Sequence, residues 1–119
     1  MSRRAASRGK DDRNQPAIRQ AIELLGFPVV DLSGVGGGCE DLLVGVRKSV
    51  YEDDEVICFW LLVECKVPPV RYTAAQRKWR EKTCLWPRIT ATSGQDAVDQ
   101  LRAMTGVAAP SSACRTSAR

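Results

Sequence analysis

Apolar and polar positions alternate along this chain with periods that change from segment to segment, and the changes mark the elements. Ile18, Ile22 and Leu25 fall at i, i+4 and i+7, after Asn14 or Gln15 as a cap with Pro16 in the first turn, and before Gly26 as a stop, which predicts an amphipathic helix. "FPVVDL" reads as a short strand and "SGVGGG" as a loop. "DLLVGV" and "VICFWLLVEC" read as two longer strands joined through the acidic tip "YEDDE", Tyr51 to Glu55, and so as a hairpin. "TAAQ", Thr73 to Gln76, has the spacing of a capping box and opens a helix to about Cys84. "RITAT" is a last strand, and "SGQDAVDQLRAM" a last helix, capped by Ser93 or Gly94, with Val98, Leu101 and Met104 on one face. The expected order is αβββαβα, an α/β domain over residues 13–106, with polar segments at 1–12 (a basic arm) and 107–119 (a tail) that carry too little apolar content to pack.

The hairpin gathers charge at one place. The midpoint between Asp41 and Glu64 falls at Glu52 and Asp53, inside the acidic tip, so antiparallel pairing sets the two carboxylates roughly opposite each other, with Cβ atoms about 5 Å apart. Lys66 lies two residues beyond Glu64 and shares its face, while Cys65 points to the other side. Both faces of the 56–63 strand are apolar, Cys58, Trp60 and Leu62 on one and Ile57, Phe59, Leu61 and Val63 on the other, which predicts a central strand covered by helices on both sides. Two carboxylates held this close repel unless one is protonated or a cation lies between them, and an oxygen-rich site suits Mg²⁺ or Mn²⁺. The plainer reading is an ion pair of Lys66 with Glu64 or Asp41 at a strand end.

Composition narrows the chemistry. The 119 residues suffice for one domain with one core, and 44% hydrophobic and 27% charged residues are ordinary for a globular chain whose three Trp can fill a core of that size. The positively charged start has no apolar segment behind it, and the longest apolar run, "VICFWLLV", is far short of the ~20 residues of a membrane helix, so a soluble, cytoplasmic protein without a membrane partner is expected. Five Cys without CxxC spacing read as reduced, mostly buried thiols. The chain has no His, which removes Ser/His and Cys/His nucleophile pairs and leaves hydrolysis to carboxylates, Lys and a hard cation. The net charge of +4 is clustered: Arg3, Arg4, Arg8, Lys10 and Arg13 in the arm, Arg77, Lys78, Arg80 and Lys82 in one short segment. An acidic polymer is the natural partner of such clusters, and a merely solvated surface is the alternative.

"GCEDLLVG" followed after about twenty residues by "LLVECK" resembles the PD-(D/E)xK nuclease signature. With "GFPVVDLSG" ahead of it and "TAAQRKW" after it, the chain from Asn14 to Met104 is similar to small phage and archaeal Holliday junction resolvase-like and VRR-NUC members of that superfamily. The resemblance implies a restriction-endonuclease-like αβββαβ core, a mixed central sheet flanked by helices. It implies that Asp41, Glu64 and the backbone carbonyl of Cys65 bind Mg²⁺ or Mn²⁺, that Lys66 positions or activates the attacking water, and that Gln76 belongs to the site as well as to the capping box. Ser33 would lie near the phosphate, though Ser before Gly is also ordinary turn chemistry, and Arg77, Lys78 and Arg80 would track a DNA backbone.

Two positions depart from the pattern: Glu40 stands where a Pro usually precedes the Asp, pointing away from Asp41 as a tolerated change, and Gln15 stands where resolvase relatives place a metal-binding Glu. The activity implied is that of a metal-dependent DNA endonuclease hydrolysing phosphodiester bonds, selective for branched or junction DNA in phage replication, recombination or repair. A homodimer is implied as well, with "VICFWLLV", Trp79 and Trp86 as candidate interface. The alternatives are a non-catalytic DNA-binding or packaging accessory that keeps the fold, for which Gln15 is the best argument, and a structural protein with a basic arm.

Overall fold

A computed structural model describes residues 13–49 and 55–106. Its elements are α1 (Gln15–Leu24), β1 (Val29–Asp31), β2 (Leu42–Ser49), β3 (Val56–Cys65), α2 (Ala74–Lys82), β4 (Arg88–Ala91) and α3 (Gly94–Thr105). The sheet order is β1-β2-β3-β4; the first two pairings are antiparallel and β4 runs parallel to β3, so α2 lies on the crossover between parallel neighbours. The described residues therefore form a mixed α/β fold with a four-stranded mixed sheet and three helices.

The hairpin register follows the apolar pattern. Leu42 pairs with Val63, Val44 with Leu61, Val46 with Phe59 and Ser49 with Val56. These even positions of β2 and odd positions of β3 put Leu42, Val44, Val46, Leu61, Val63 and Cys65 on one face, all nearly solvent-free. Ile18 and Ile22 of α1 and Ala97 and Leu101 of α3 complete that core. The periodicity that predicts the two helices is thus the periodicity with which they bury one stripe against the sheet. On α3 the buried stripe is Ala97, Leu101 and Thr105, with Val98 and Met104 at its border. Asn14 caps α1 by position only; its side-chain amide donates to the carbonyls of Lys66 and Thr92, both at 2.9 Å, and so fastens the start of α1 to the ends of β3 and β4.

Three sequence expectations are corrected. Among the described residues, no helix covers the second face of β3 along 58–62: Cys58 is exposed, Trp60 is 57% exposed and Leu62 half-buried. A run that is apolar on both sides has the pattern of a doubly buried strand, yet among the described helices those that bury an apolar stripe against the sheet are α1 and α3, and both choose the same face. The core is aliphatic apart from Phe27, since Trp60 and Trp86 are exposed and Trp79 only half-buried. Among the four described cysteines only Cys65 is buried; Cys39 is half-buried and Cys58 and Cys84 are exposed. The acidic tip between Ser49 and Glu55, like the arm, the tail and Cys114, lies outside the described residues.

Candidate functional site

The site lies where β2 begins and β3 ends, on the face opposite α1 and α3 and under the start of α2. One step beyond the Leu42–Val63 pair, the same register sets Asp41 beside Glu64, and the next ladder sets Glu64 beside Thr90. Asp41 is 8% and Glu64 4% exposed, so both carboxylates are withdrawn from bulk water and must be met by polar partners. Asp41 accepts a 2.9 Å hydrogen bond from the backbone N–H of Cys65, which ties the two strand ends together, while the Cys65 side chain turns into the core.

Gln76 joins the remaining groups. Thr73 caps α2 with a full capping box: its hydroxyl accepts from the Gln76 N–H, and the Gln76 side-chain oxygen accepts from the Thr73 N–H at 2.9 Å. The same oxygen accepts from Lys66 Nζ at 2.9 Å, and Gln76 Nε2 donates to Glu64 Oε2 at 2.9 Å. Lys66 Nζ is 3.7 Å from Glu64 Oε2. One amide thus closes the helix cap and bonds both Lys66 and Glu64. Tyr72 fixes the cationic side: Lys66 Nζ lies 5.3 Å and the Arg80 guanidinium 4.4 Å from the ring centroid, and the Tyr72 hydroxyl shares a 2.6 Å hydrogen bond with Thr90 Oγ1.

The residue least foreseen is Glu40. It precedes the strand, so period-2 alternation does not govern its direction, and its side chain is 1% exposed. Trp79 Nε1 donates to it at 2.8 Å and Arg88 Nε at 2.7 Å, while Arg80 lies 3.7 Å away. Arg88 also donates to the carbonyl and hydroxyl of Thr83, at the end of α2. Rather than a tolerated change, Glu40 is the buried anchor that holds α2, and with it Gln76, against the sheet, a task the apolar contacts of α2 cannot perform because none of its residues is buried. Gly38 makes the approach possible. Its φ of 83° is left-handed, and a Cβ there would stand 2.4 Å from the carbonyl oxygen of Ala75 in the first turn of α2. A sequence signal existed: an acid between a glycine loop and a buried strand, with a Trp on an otherwise polar helix.

The other expected residues sit apart from this cluster or at its rim. Arg77 is exposed and donates to the Tyr72 carbonyl at 2.6 Å. Lys78 is exposed beside a groove of about 520 Å³ between Gly37 and α2, whereas Arg80 is engaged by Tyr72 and Glu40. Ser33 belongs to a turn: its N–H donates to Asp31 Oδ1 at 2.8 Å. The hydroxyl and N–H of Ser33 hold the Asp31 carboxyl below the usual carboxylate range, with Gln15 and Arg19 acting in the same sense against a modest burial cost. Gln15 is buried at the start of α1 and its amide is set against Asp31. Burial pushes the Cys39 thiol up from its usual range, and the charges of Glu40, Glu64 and Asp41 add to that shift.

The donor set at Asp41 and Glu64 is oxygen only, and among the described residues no group of three or more His, Cys, Asp or Glu could hold a metal. Two carboxylates fit Mg²⁺ or Mn²⁺, which keep several waters and take one or two protein carboxylates; they do not fit a structural zinc site. Among the described residues no helix is long and apolar enough to cross a membrane. Comparison of the chain with protein-family models, with curated proteins and with solved structures returned no match.

Proposed function

We propose that the chain is a divalent-metal-dependent endonuclease that hydrolyses phosphodiester bonds in DNA. The observation that carries this reading is the convergence of Asp41, Glu64 and Lys66 at one sheet end, with Gln76 bonded to both Glu64 and Lys66. Asp41, Glu64 and the Cys65 carbonyl would hold the ion. Bound there, Mg²⁺ or Mn²⁺ would neutralise charge on the scissile phosphate and lower the pKa of a water. Lys66 donates to Gln76 and faces Glu64, so it is placed to steady the water oxygen or the negative charge that grows on the phosphate. Gln76 keeps Lys66 and Glu64 in fixed relation as that charge develops. Arg77 and Lys78, both exposed at the rim, would contact neighbouring phosphates and supply affinity without sequence preference.

A cleavage assay on duplex, single-stranded, flap and four-way DNA tests the reading. Mg²⁺ or Mn²⁺ should support cutting, Ca²⁺ should support binding with little cutting, and chelator should abolish cutting. Glu64→Gln should abolish it as well, whereas Lys66→Ala should lose cutting yet keep most of the thermal stabilisation that Mg²⁺ confers, since a ligand of the folded state stabilises by mass action and Lys66 is not among its donors. Equal cutting in chelator would overturn the metal model. A second reading, a DNA-binding accessory without catalysis, is favoured by one observation: the amide of Gln15 is set against Asp31. It expects DNA binding without cutting under every ion.

A further inference from the structure

We propose that the open face of the sheet, beside the site, is a platform on which an unpaired nucleobase stacks against Trp60. The positions of this face run in rows across the strands. The row of Asp41, Glu64 and Thr90 comes first; the next holds Leu43, Leu62 and Arg88, and Val30 of β1 pairs into it. Then come Gly45 and Trp60, and beyond them Arg47 and Cys58. Trp60 lies four residues before Glu64 on the same face of the same strand, about 13 Å from it. A nucleic-acid strand lying along β3 from the site therefore passes over the indole.

Trp60 is held for such a contact. Its neighbours in sequence on the core face, Phe59 and Leu61, are half-buried and fully buried, yet Trp60 itself is 57% exposed. The residue paired with it is Gly45, and a Cβ there would stand 3.2 Å from Trp60 Cζ3 and 2.9 Å from Pro28 Cγ. The six-membered half of the indole reaches over the bare backbone of β2, and a side chain at position 45 would lift it. Stacking on an aromatic ring is open to any unpaired base and closed to a paired one, whose faces are covered by its neighbours in the duplex.

Charge decides between a nucleic acid and a second copy of the chain. Beyond the row of Asp41 and Glu64, the described positions of this face include no acid, and Arg47 stands exposed next to Trp60. A second copy would set an acid against Arg47 only by turning its own Asp41 and Glu64 end over it, away from Trp60, whereas a nucleic acid offers phosphate to Arg47 and base to Trp60 together. The inference rests on the proposed nuclease reading only for what lies at the Glu64 end of the strand; binding at Trp60 needs no metal.

The test is fluorescence anisotropy of a labelled oligothymidine of about a dozen nucleotides, and of a blunt duplex of equal length, with full-length protein in chelator. Trp60→Ala should weaken single-strand binding about five- to a hundredfold and change duplex binding less than about twofold, while Trp60→Phe keeps most of the single-strand affinity. Sedimentation of the same samples reports the oligomeric state. Equal loss on both ligands, or on neither, overturns the platform; so does conversion of a dimer to monomers by Trp60→Ala, which would make this face an interface between copies. Because the assay excludes metal, its outcome is independent of whether the protein cuts: cutting by the wild type with no Trp60 effect sinks the platform alone, and a Trp60 effect without cutting sinks the nuclease reading alone.

Discussion

The two sides of the sheet are built from the same strands and serve opposite ends. On one, Leu42, Val44, Leu61 and Val63 meet α1 and α3 in an aliphatic core from which water is excluded. On the other, the register that buries those residues delivers Asp41, Glu64 and Lys66 to one end and leaves Trp60 to solvent. Apolar area holds the first side together, non-directionally, at roughly 25 cal/mol per Å². Directed polar contacts hold the second, because α2 has no buried residue and is secured by Glu40 and Gln76. The lesson is that a strand can be apolar on both faces and still be half open, if the helices available to cover it pack together on one side.

The sharpest way to break the comparison is at Glu40. Glu40→Ala removes the acceptor for Trp79 and Arg88 and leaves a guanidinium that is mostly buried without its carboxylate. Loss of one member of a buried pair costs about 3–5 kcal/mol. Denaturant unfolding should show a loss of that order, and Trp79, released from its bond, should report it by a fluorescence change. A loss below about 1 kcal/mol would mean that α2 is held by something other than this anchor. Next in size is a paired test on adjacent residues of β3. Leu61→Ala opens a cavity in the core and should cost about 2–5 kcal/mol, whereas Trp60→Ala on the open face should cost about 1 kcal/mol or less. Similar losses at the two positions would show that the open face is covered in solution.

Much of this was legible in the sequence, and the reasons are specific. The hairpin could be aligned because its two apolar runs flank one acidic segment, and the alignment that opposes Asp41 to Glu64 is the register in which Leu42 faces Val63. Lys66 followed from period 2, and the capping box from the spacing of Thr73 and Gln76. The openness of the Trp60 face could not be read from alternation, which reports which residues share a face and not what covers it. Nor could the role of Glu40, whose partners Trp79 and Arg88 are 39 and 48 residues away in sequence and meet it only through the crossover of α2. The absence of the three Trp from the core has the same origin: a largely aliphatic core between one pair of helices and one sheet face has no need of them.

A third prediction separates the site from the region around Asp31. Gln15 is 8% exposed and its amide helps hold the Asp31 carboxylate ionised. Gln15→Glu would place a second carboxylate there, largely withdrawn from water and repelled by the first, and should cost about 1–2 kcal/mol of stability in chelator. The response to Mg²⁺ should not improve. Thermal melts of both proteins with and without Mg²⁺ check this; a larger Mg²⁺ response in the variant would place position 15 at the metal, as the resemblance to resolvases implies, and would join the two regions into one site.

The smallest effect is expected at Ser33, where a DNA contact and a turn make different demands. Its hydroxyl and N–H lower the pKa of Asp31, so in the folded protein Asp31 binds a proton less readily than in the unfolded chain. A depressed carboxylate contributes stability above its unfolded pKa, near the ordinary 3.8, and that contribution is lost as the pH falls through the lower folded value. Ser33→Ala removes the hydroxyl and keeps the N–H bond, so the Asp31 pKa should rise part of the way back, and the contribution should be smaller at neutral pH and fade at a higher pH than in the wild type. An NMR titration of the Asp31 carboxyl carbon between pH 2 and pH 6 reads this directly. DNA affinity should stay unchanged, because the Ser33 N–H is turned to Asp31 and its hydroxyl is occupied by the same carboxylate. A variant that titrates like the wild type but binds DNA more weakly would reverse the assignment and move Ser33 from the turn to the phosphate.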